Sequence, residues 1–354
     1  AAVKAHRHPG MTGMRNWIAV QGFTSRWLFC LLVWSLLYAV RARADEPTGP
    51  KTGPVNLPFR TLGGTQFWSD VLVDHNWRIQ RNVYFDHYRL LDNDDYRHAW
   101  GTYEACLRHF SEIKSEKDIP PMQGRVVVVL HGLARTREGM SAICQYLYEH
   151  GEYQIVNVGY ASTREPIGKH AKSLARVIDH LGDQVTEIHF VAHSLGNLVI
   201  RHYMGDATAN GKALDPRIRR MVMLTPPNNG AKMAEALHDH QLFRAIVGAS
   251  GSQLGPEWEK VSRRLAVPPC EFAIIAASAG RNLLLEGQDD WVVSIEETKL
   301  TGARDFVVIP ERHSGVLENK AVHRYILRFL DDGYFISEPA RHPLVAERET
   351  VGEE

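Results

Sequence analysis

Six short apolar runs dominate the second part of the chain: RVVVVLHG (125–132), YQIVNVGY (153–160), EIHFVAHS (187–194), RRMVMLTP (219–226), EFAIIAAS (271–278) and DFVVIP (305–310). They are rich in β-branched residues and mostly continuous rather than alternating, which is how strands buried on both faces read. Amphipathic stretches separate them: MSAICQYLYEHG (140–151), GKHAKSLARVIDHLG (168–182) with Gly182 at a plausible C-cap, LGNLVIRHYMG (195–205) and NKAVHRYILRFLDDG (319–333). Strand–helix alternation with right-handed crossovers predicts an α/β fold, a mostly parallel sheet with helices on both faces. With 354 residues, 44% hydrophobic and 23% charged, the chain can bury such a core as one domain with additions.

One segment breaks the rhythm. Asn228–Pro269 is longer than one crossover helix needs and reads as two helices with a Gly/Ser-rich joint. The span 226–270 is therefore expected to be a small helical insert, either a lid carrying Leu242, Phe243 and Ile246 or an ordinary packed pair. Residues 121–335 form the expected main domain and 336–354 a tail. Ahead of it, 58–120 reads as an extension: a hairpin turning near Phe85 and Asp86, then a helix from Tyr96 to Lys117.

The N-terminal part has the layout of an export signal. Arg15 and Arg26 precede an apolar run, Leu28–Val40, and Ala42-Arg43-Ala44 follows it. The run is short for a membrane span, which needs about 20 residues. Residues 1–44 are read as a signal peptide cut after Ala44, with Met11 or Met14 as more usual starts, and an uncleaved membrane anchor as the alternative. The Pro- and Gly-rich stretch 45–57 is read as a linker. Cys30 lies inside the apolar run behind bulky residues, so it does not read as a lipid anchor. Beyond the cut stand Cys106, Cys144 and Cys270, an odd number, so at least one is a free thiol or makes an intermolecular bridge. The sequence does not choose a pair.

The formal net charge is zero and no basic stripe stands out, which argues against a nucleic-acid partner. Among 18 histidines, His189/His193 and His238/His240 are close pairs, but neither has a third ligand nearby, and no metal or organic cofactor is expected.

The chemistry centres on FVAHSLGNLVI (190–200). A serine hydroxyl is a weak nucleophile until a base takes its proton, an acid orients that base, and donors receive the oxyanion. A sharp strand-to-helix turn lifts such a hydroxyl above the sheet, and it closes only with small residues two before and two after. Around Ser194 these are Ala192 and Gly196, an A-x-S-x-G variant of the usual G-x-S-x-G.

From Gly124 to Phe335 the chain resembles the α/β-hydrolase superfamily, and most of all its bacterial lipase and esterase branch. The resemblance implies the order nucleophile, acid, base. GQDDWVV (287–293), with Trp291 where glycine is common, aligns Asp290 as the acid; Asp289 is the alternative and Asp305 a weaker one. DFVVIPERHSGVL (305–317) places His313 as the base, ahead of His323. The loop in VVVLHGLART (127–136) supplies the Leu133 N–H and the elbow supplies the Leu195 N–H as oxyanion donors. His131, Gly132 and His193 shape the surroundings. Tyr160, Ser162 and Asn228 also follow strands and are candidate pocket residues or turn formers. The implied activity is hydrolysis of a small-molecule or lipid ester through an acyl-enzyme, by an exported protein that could touch a lipid surface, and a base that must be neutral predicts a rate that falls on acidification. An acyltransferase or amidase on the same scaffold, or a non-catalytic envelope binding protein, are the alternatives. Acyl chain length and oligomeric state are not legible.

Overall fold

The computed structural model describes residues 59–61, 66–75, 77–236, 248–280, 288–290 and 292–345. The expected leader and linker, Cys30, His238, His240, Leu242, Phe243, Ile246 and Trp291 lie outside the described residues.

The first layer is an antiparallel sheet of β1 (Phe59–Arg60), β2 (Trp68–Asp74), β3 (Trp77–Asn82), β4 (Tyr88–Leu91) and β5 (Tyr96–Gly101), in the order β1-β5-β4-β3-β2. The β3–β4 hairpin turns around Phe85 and Asp86 as the sequence predicts. The helix does not begin at Tyr96. Tyr96–Gly101 is a strand, and α1 runs from Tyr103 to Glu116. Two local features decide this boundary: Gly101 takes φ 133°, and Thr102 caps the helix by accepting from the Ala105 N–H at 3.2 Å. One sheet face (Val71, Ile79, Leu90, Ala99) then buries against Cys106, Phe110 and Ile113 of α1.

The main sheet holds β6 (Gly124–Leu130), β7 (Tyr153–Val158), β8 (Val185–His193), β9 (Ile218–Leu224), β10 (Glu271–Ala277) and β11 (Asp305–Ile309). Its order is β11-β10-β9-β8-β6-β7, with every pair parallel. The continuous apolar runs serve both faces. Val126, Val128 and Leu130 pack on one side with Leu174 and Val177 of α3 (Ile167–Asp179) and Leu198 of α4 (Leu195–Ala209). Val127 and Val129 pack on the other with Ile143 and Leu147 of α2 (Ser141–His150) and Ile326 and Phe329 of the C-terminal helix (Lys320–Asp332). Each such fully buried valine contributes about 1.5–3 kcal/mol. The C-terminal helix stops at Gly333 in the left-handed conformation (φ 84°), whereas α3 is capped by His180 and Gly182 lies beyond its end.

The chain winds outward from β6 to β7 and then returns to the opposite side of β6 for β8. This reversal opens a crevice at the carboxyl ends of β6 and β8, the place where open α/β sheets bind ligands. The antiparallel layer braces one side of it: Asp70 N–H donates to the Gly159 carbonyl at 2.8 Å, and the Asp70 carboxylate accepts from the Gly159 N–H at 2.6 Å. Within the described residues the insert contains α5 (Lys232–Ala236), helical residues 248–252 and α6 (Trp258–Ser262), while 237–247 lie outside them. A further short helix, α7 (Ile295–Thr298), precedes β11 and carries a capping box between Ser294 and Glu297; the C-terminal helix is α8.

Candidate active site

Ser194 occupies the single residue between β8 and α4, at φ 50° and ψ −121°. A side chain bearing a Cβ adopts this conformation only under strain, so the surroundings must hold it. The Ser194 N–H extends the ladder to the Leu224 carbonyl at 2.9 Å. Buried Asn197 donates from its side chain to the Ser194 carbonyl at 3.0 Å and the Leu224 carbonyl at 3.3 Å. Gly196 is needed because a Cβ there would stand 2.8 Å from the His131 carbonyl oxygen and 2.9 Å from the Leu130 Cβ. Gly132 is needed for the same reason from the other side, where a Cβ would meet His193 Nδ1 at 2.7 Å and the Ser194 Cβ at 3.1 Å. Ala192 is fully buried in β8, paired with Leu130 and Met223.

His313 follows β11 and Asp290 lies beyond β10, so the three loops arrive in the chain order Ser, Asp, His. The His313 Nδ1 donates to Asp290 Oδ2 at 2.6 Å. The other carboxylate oxygen of Asp290 accepts from the N–H groups of Val292 at 2.9 Å and Val293 at 2.8 Å. A fully buried carboxylate is tolerable only when paired in this way. The backbone is tied as well, since the His313 N–H donates to the Asp290 carbonyl at 3.1 Å. A proton on Nδ1 leaves Nε2 as the acceptor, the tautomer a general base requires. Asp289 is buried beside Asp290. Asp305 instead accepts from the N–H groups of Phe306, Phe335 and His342, and His323 Nε2 bonds to the Leu317 carbonyl at 2.7 Å.

Ser194 and His313 line one cavity of about 240 Å³. Its walls are largely apolar, with Leu133, Pro227, Met233, Leu254, Val292 and Val293. Neither the Leu133 nor the Leu195 N–H has an acceptor among the described residues. The loop carrying Leu133 is held by Ser162, whose hydroxyl accepts from the Ala134 N–H at 3.0 Å, and by Gln66, which donates to the Arg135 carbonyl at 3.1 Å.

The neighbouring histidines have structural tasks. His193 Nε2 donates to the His313 carbonyl at 2.9 Å, fixing the loop that bears His313. Burial, then the nearby His313, holds its pKa well below the usual range. His131 donates from Nδ1 to the Gly132 carbonyl at 2.8 Å, accepts from the Tyr160 N–H at Nε2 and stacks on the Tyr160 ring at 4.2 Å. Burial pushes it down to about 4, so it is neutral at ordinary pH. His189 bonds to Glu187 rather than sharing a ligand with His193, and no cluster of three or more metal-ligating side chains occurs among the described residues.

Three candidate pocket residues lie elsewhere. Tyr160 is buried with its hydroxyl on the His131 carbonyl, Ser162 supports the loop that carries Leu133, and Asn228 spans Arg201 (2.9 Å) and the Thr298 carbonyl (2.8 Å). None of them lines the cavity. The cysteines Cys106, Cys144 and Cys270 are all free thiols.

A sequence family described as a domain of unknown function, DUF7379, matches residues 97–267. A search of curated proteins finds no match. Among solved structures, the chain is similar to the mature lipase BlEst2 of Bacillus licheniformis, at 14% identity over 60% of this chain and 91% of that one, with a TM-score of 0.46. It is similar to phospholipase PlaB of Legionella pneumophila at 16% identity over 56% and 55% of the two chains, TM-score 0.43, and so spans about half of PlaB. A thermophilic esterase of Thermogutta terrifontis follows at 15% identity over 60% and 92%, TM-score 0.38. The sheet order and the strained turn between β8 and α4 decide the architecture. The chain has the α/β-hydrolase fold. Within that fold the residues least visible from sequence are Asn197 and Gln66. Asn197 had a signal, a polar residue one turn into an apolar helix. Gln66 had none, since its partners lie 69 to 97 residues away.

Proposed function

We propose that this chain is a serine hydrolase that cleaves carboxylic esters of small-molecule or lipid type. The observation that carries the reading is the 2.6 Å bond from His313 Nδ1 to the buried Asp290 carboxylate, on the cavity that also exposes Ser194. His313 Nε2 takes the Ser194 proton as Oγ bonds to the ester carbonyl carbon. The N–H groups of Leu133 and Leu195 receive the oxyanion. Collapse breaks the carbon–oxygen bond to the alcohol, which leaves with the proton from His313. Water, deprotonated by His313, then releases the acid and restores Ser194. Asp290 holds the imidazole tautomer and stabilises its cation. The apolar walls suit an acyl chain, and about 240 Å³ suits a short or medium one.

Export belongs to the proposal: the Leu28–Val40 run followed by Ala42-Arg43-Ala44 supports a leader removed after Ala44. The test is a panel of 4-nitrophenyl esters of rising chain length against the parent, Ser194→Ala and His313→Gln. Turnover by the parent that both variants lose by at least 10³-fold supports the reading. Equal rates in parent and Ser194→Ala would sink it.

A further inference from the structure

Arg135 stands two residues beyond Leu133 in the oxyanion loop, and its side chain reaches the cavity beside the catalytic base. Its Nη2 donates to the Ser314 hydroxyl at 2.5 Å, and Ser314 directly follows His313. Both Arg135 and Ser314 line the cavity. Among the described lining residues Arg135 alone carries a permanent charge. It has no ion pair among the described residues and is held only by a neutral hydroxyl. A guanidinium offers five donors in a planar fork, of which this arrangement uses one. Other arginines of the chain show what this side chain does when a carboxylate is near: Arg81, Arg217 and Arg220 each hold one at 2.6 to 2.8 Å.

We infer that Arg135 is a specificity-determining residue that receives an oxyanion on the alcohol half of the substrate, so that the site takes esters whose alcohol carries a carboxylate or phosphate. The side follows from the mechanism. His313 delivers its proton to the departing alcohol oxygen, so the group next to His313 and Ser314 faces the alcohol, while the apolar walls face the acyl chain. The substrate class is then an apolar acyl group on an anionic alcohol. Arg135 turns from Ser314 to the anion and meets it through two parallel N–H bonds. This inference rests on the ester-hydrolase reading of the same site.

The test compares three matched butyryl esters with the full chain: 3-butyryloxybenzoate, 3-butyryloxyphenyl phosphate and the neutral 3-butyryloxybenzamide. A charge-assisted bond predicts kcat/KM about 10- to 100-fold higher for an anion than for the amide. The carboxylate and phosphate arms tell which oxyanion fits better. In Arg135→Gln the ratio falls towards one, and Arg135→Lys keeps a smaller preference because the charge remains and the fork is lost. The preference also shrinks as salt rises. A second arm needs no turnover: calorimetric binding of 3-hydroxyphenyl phosphate to Ser194→Ala, lost when Arg135→Gln is added. A parent ratio near one, a ratio unchanged by Arg135→Gln, or anion binding indifferent to Arg135 overturns the inference. If the anion binds through Arg135 but no ester is cleaved, the hydrolase reading fails and the anion site stands.

Discussion

The strain at Ser194 can be measured by comparing two substitutions that both delete the hydroxyl. Ser194→Ala keeps the Cβ and therefore the cost of φ 50°, ψ −121°, about 1–3 kcal/mol for a side chain held outside the ordinary regions. Ser194→Gly releases that strain. Against this, glycine gives the unfolded chain more freedom, worth about 0.5–1 kcal/mol relative to alanine. It also loses one methyl's burial, at most about 0.8 kcal/mol and less here because the residue borders an open cavity. Taking the middle of each range, Ser194→Gly should be the more stable variant by about 0.5–1 kcal/mol. With a urea m-value of about 3 kcal/mol/M for a domain of this size, the midpoints differ by about 0.2–0.3 M. Urea titrations followed by tryptophan fluorescence resolve that difference. At a relaxed turn the order reverses, alanine exceeding glycine. That reversed order would refute the claim that this turn stores strain.

Other outcomes follow from the same geometry. Gly196→Ala forces a Cβ to 2.8 Å from the His131 carbonyl, so it should cost about 1–3 kcal/mol in urea unfolding, and a neutral result would contradict the close approach. Asp290→Asn keeps the shape of the loop but cannot hold the same tautomer, so kcat should fall by about 10²–10⁴-fold with the fold intact by circular dichroism. His131 and His189 are pushed down to about 4 and His170 to about 3 by burial. Because the unfolded chain binds these protons at higher pH than the folded one, their stabilisation is complete above about pH 6.5 and is lost as pH falls towards about 4. The slope is about 1.4 kcal/mol per pH unit per histidine, about 4 for the three. Acid unfolding should therefore be steep and take up several protons; a titration flat down to pH 4 would contradict it.

The main sheet was legible because its chemistry is local. A run such as Val126–Leu130 is apolar at every position, and only burial on both faces explains that. The antiparallel layer was less legible. Tyr96–Trp100 shares aromatic and basic residues with the helix that follows, and the break rests on one glycine and one threonine cap. The side chains after strands divided on a question that local sequence does not address, namely which way each one points. His313 turns to Asp290 across 23 residues, whereas Tyr160, Ser162 and Asn228 turn to partners 27 to 70 residues away and leave the cavity to others. Arg135 passed unnoticed because an arginine in a polar loop reads as a solvated charge until Ser314 appears beside it.

The most direct test of the account is reaction of the full chain with a fluorophosphonate, with the modified residue mapped by mass spectrometry and Ser194→Ala as control. An activated serine predicts one adduct, on Ser194, that disappears in the variant and slows in His313→Gln. No adduct on Ser194, with or without detergent micelles to open the cavity, would contradict the proposal that this elbow carries a nucleophile.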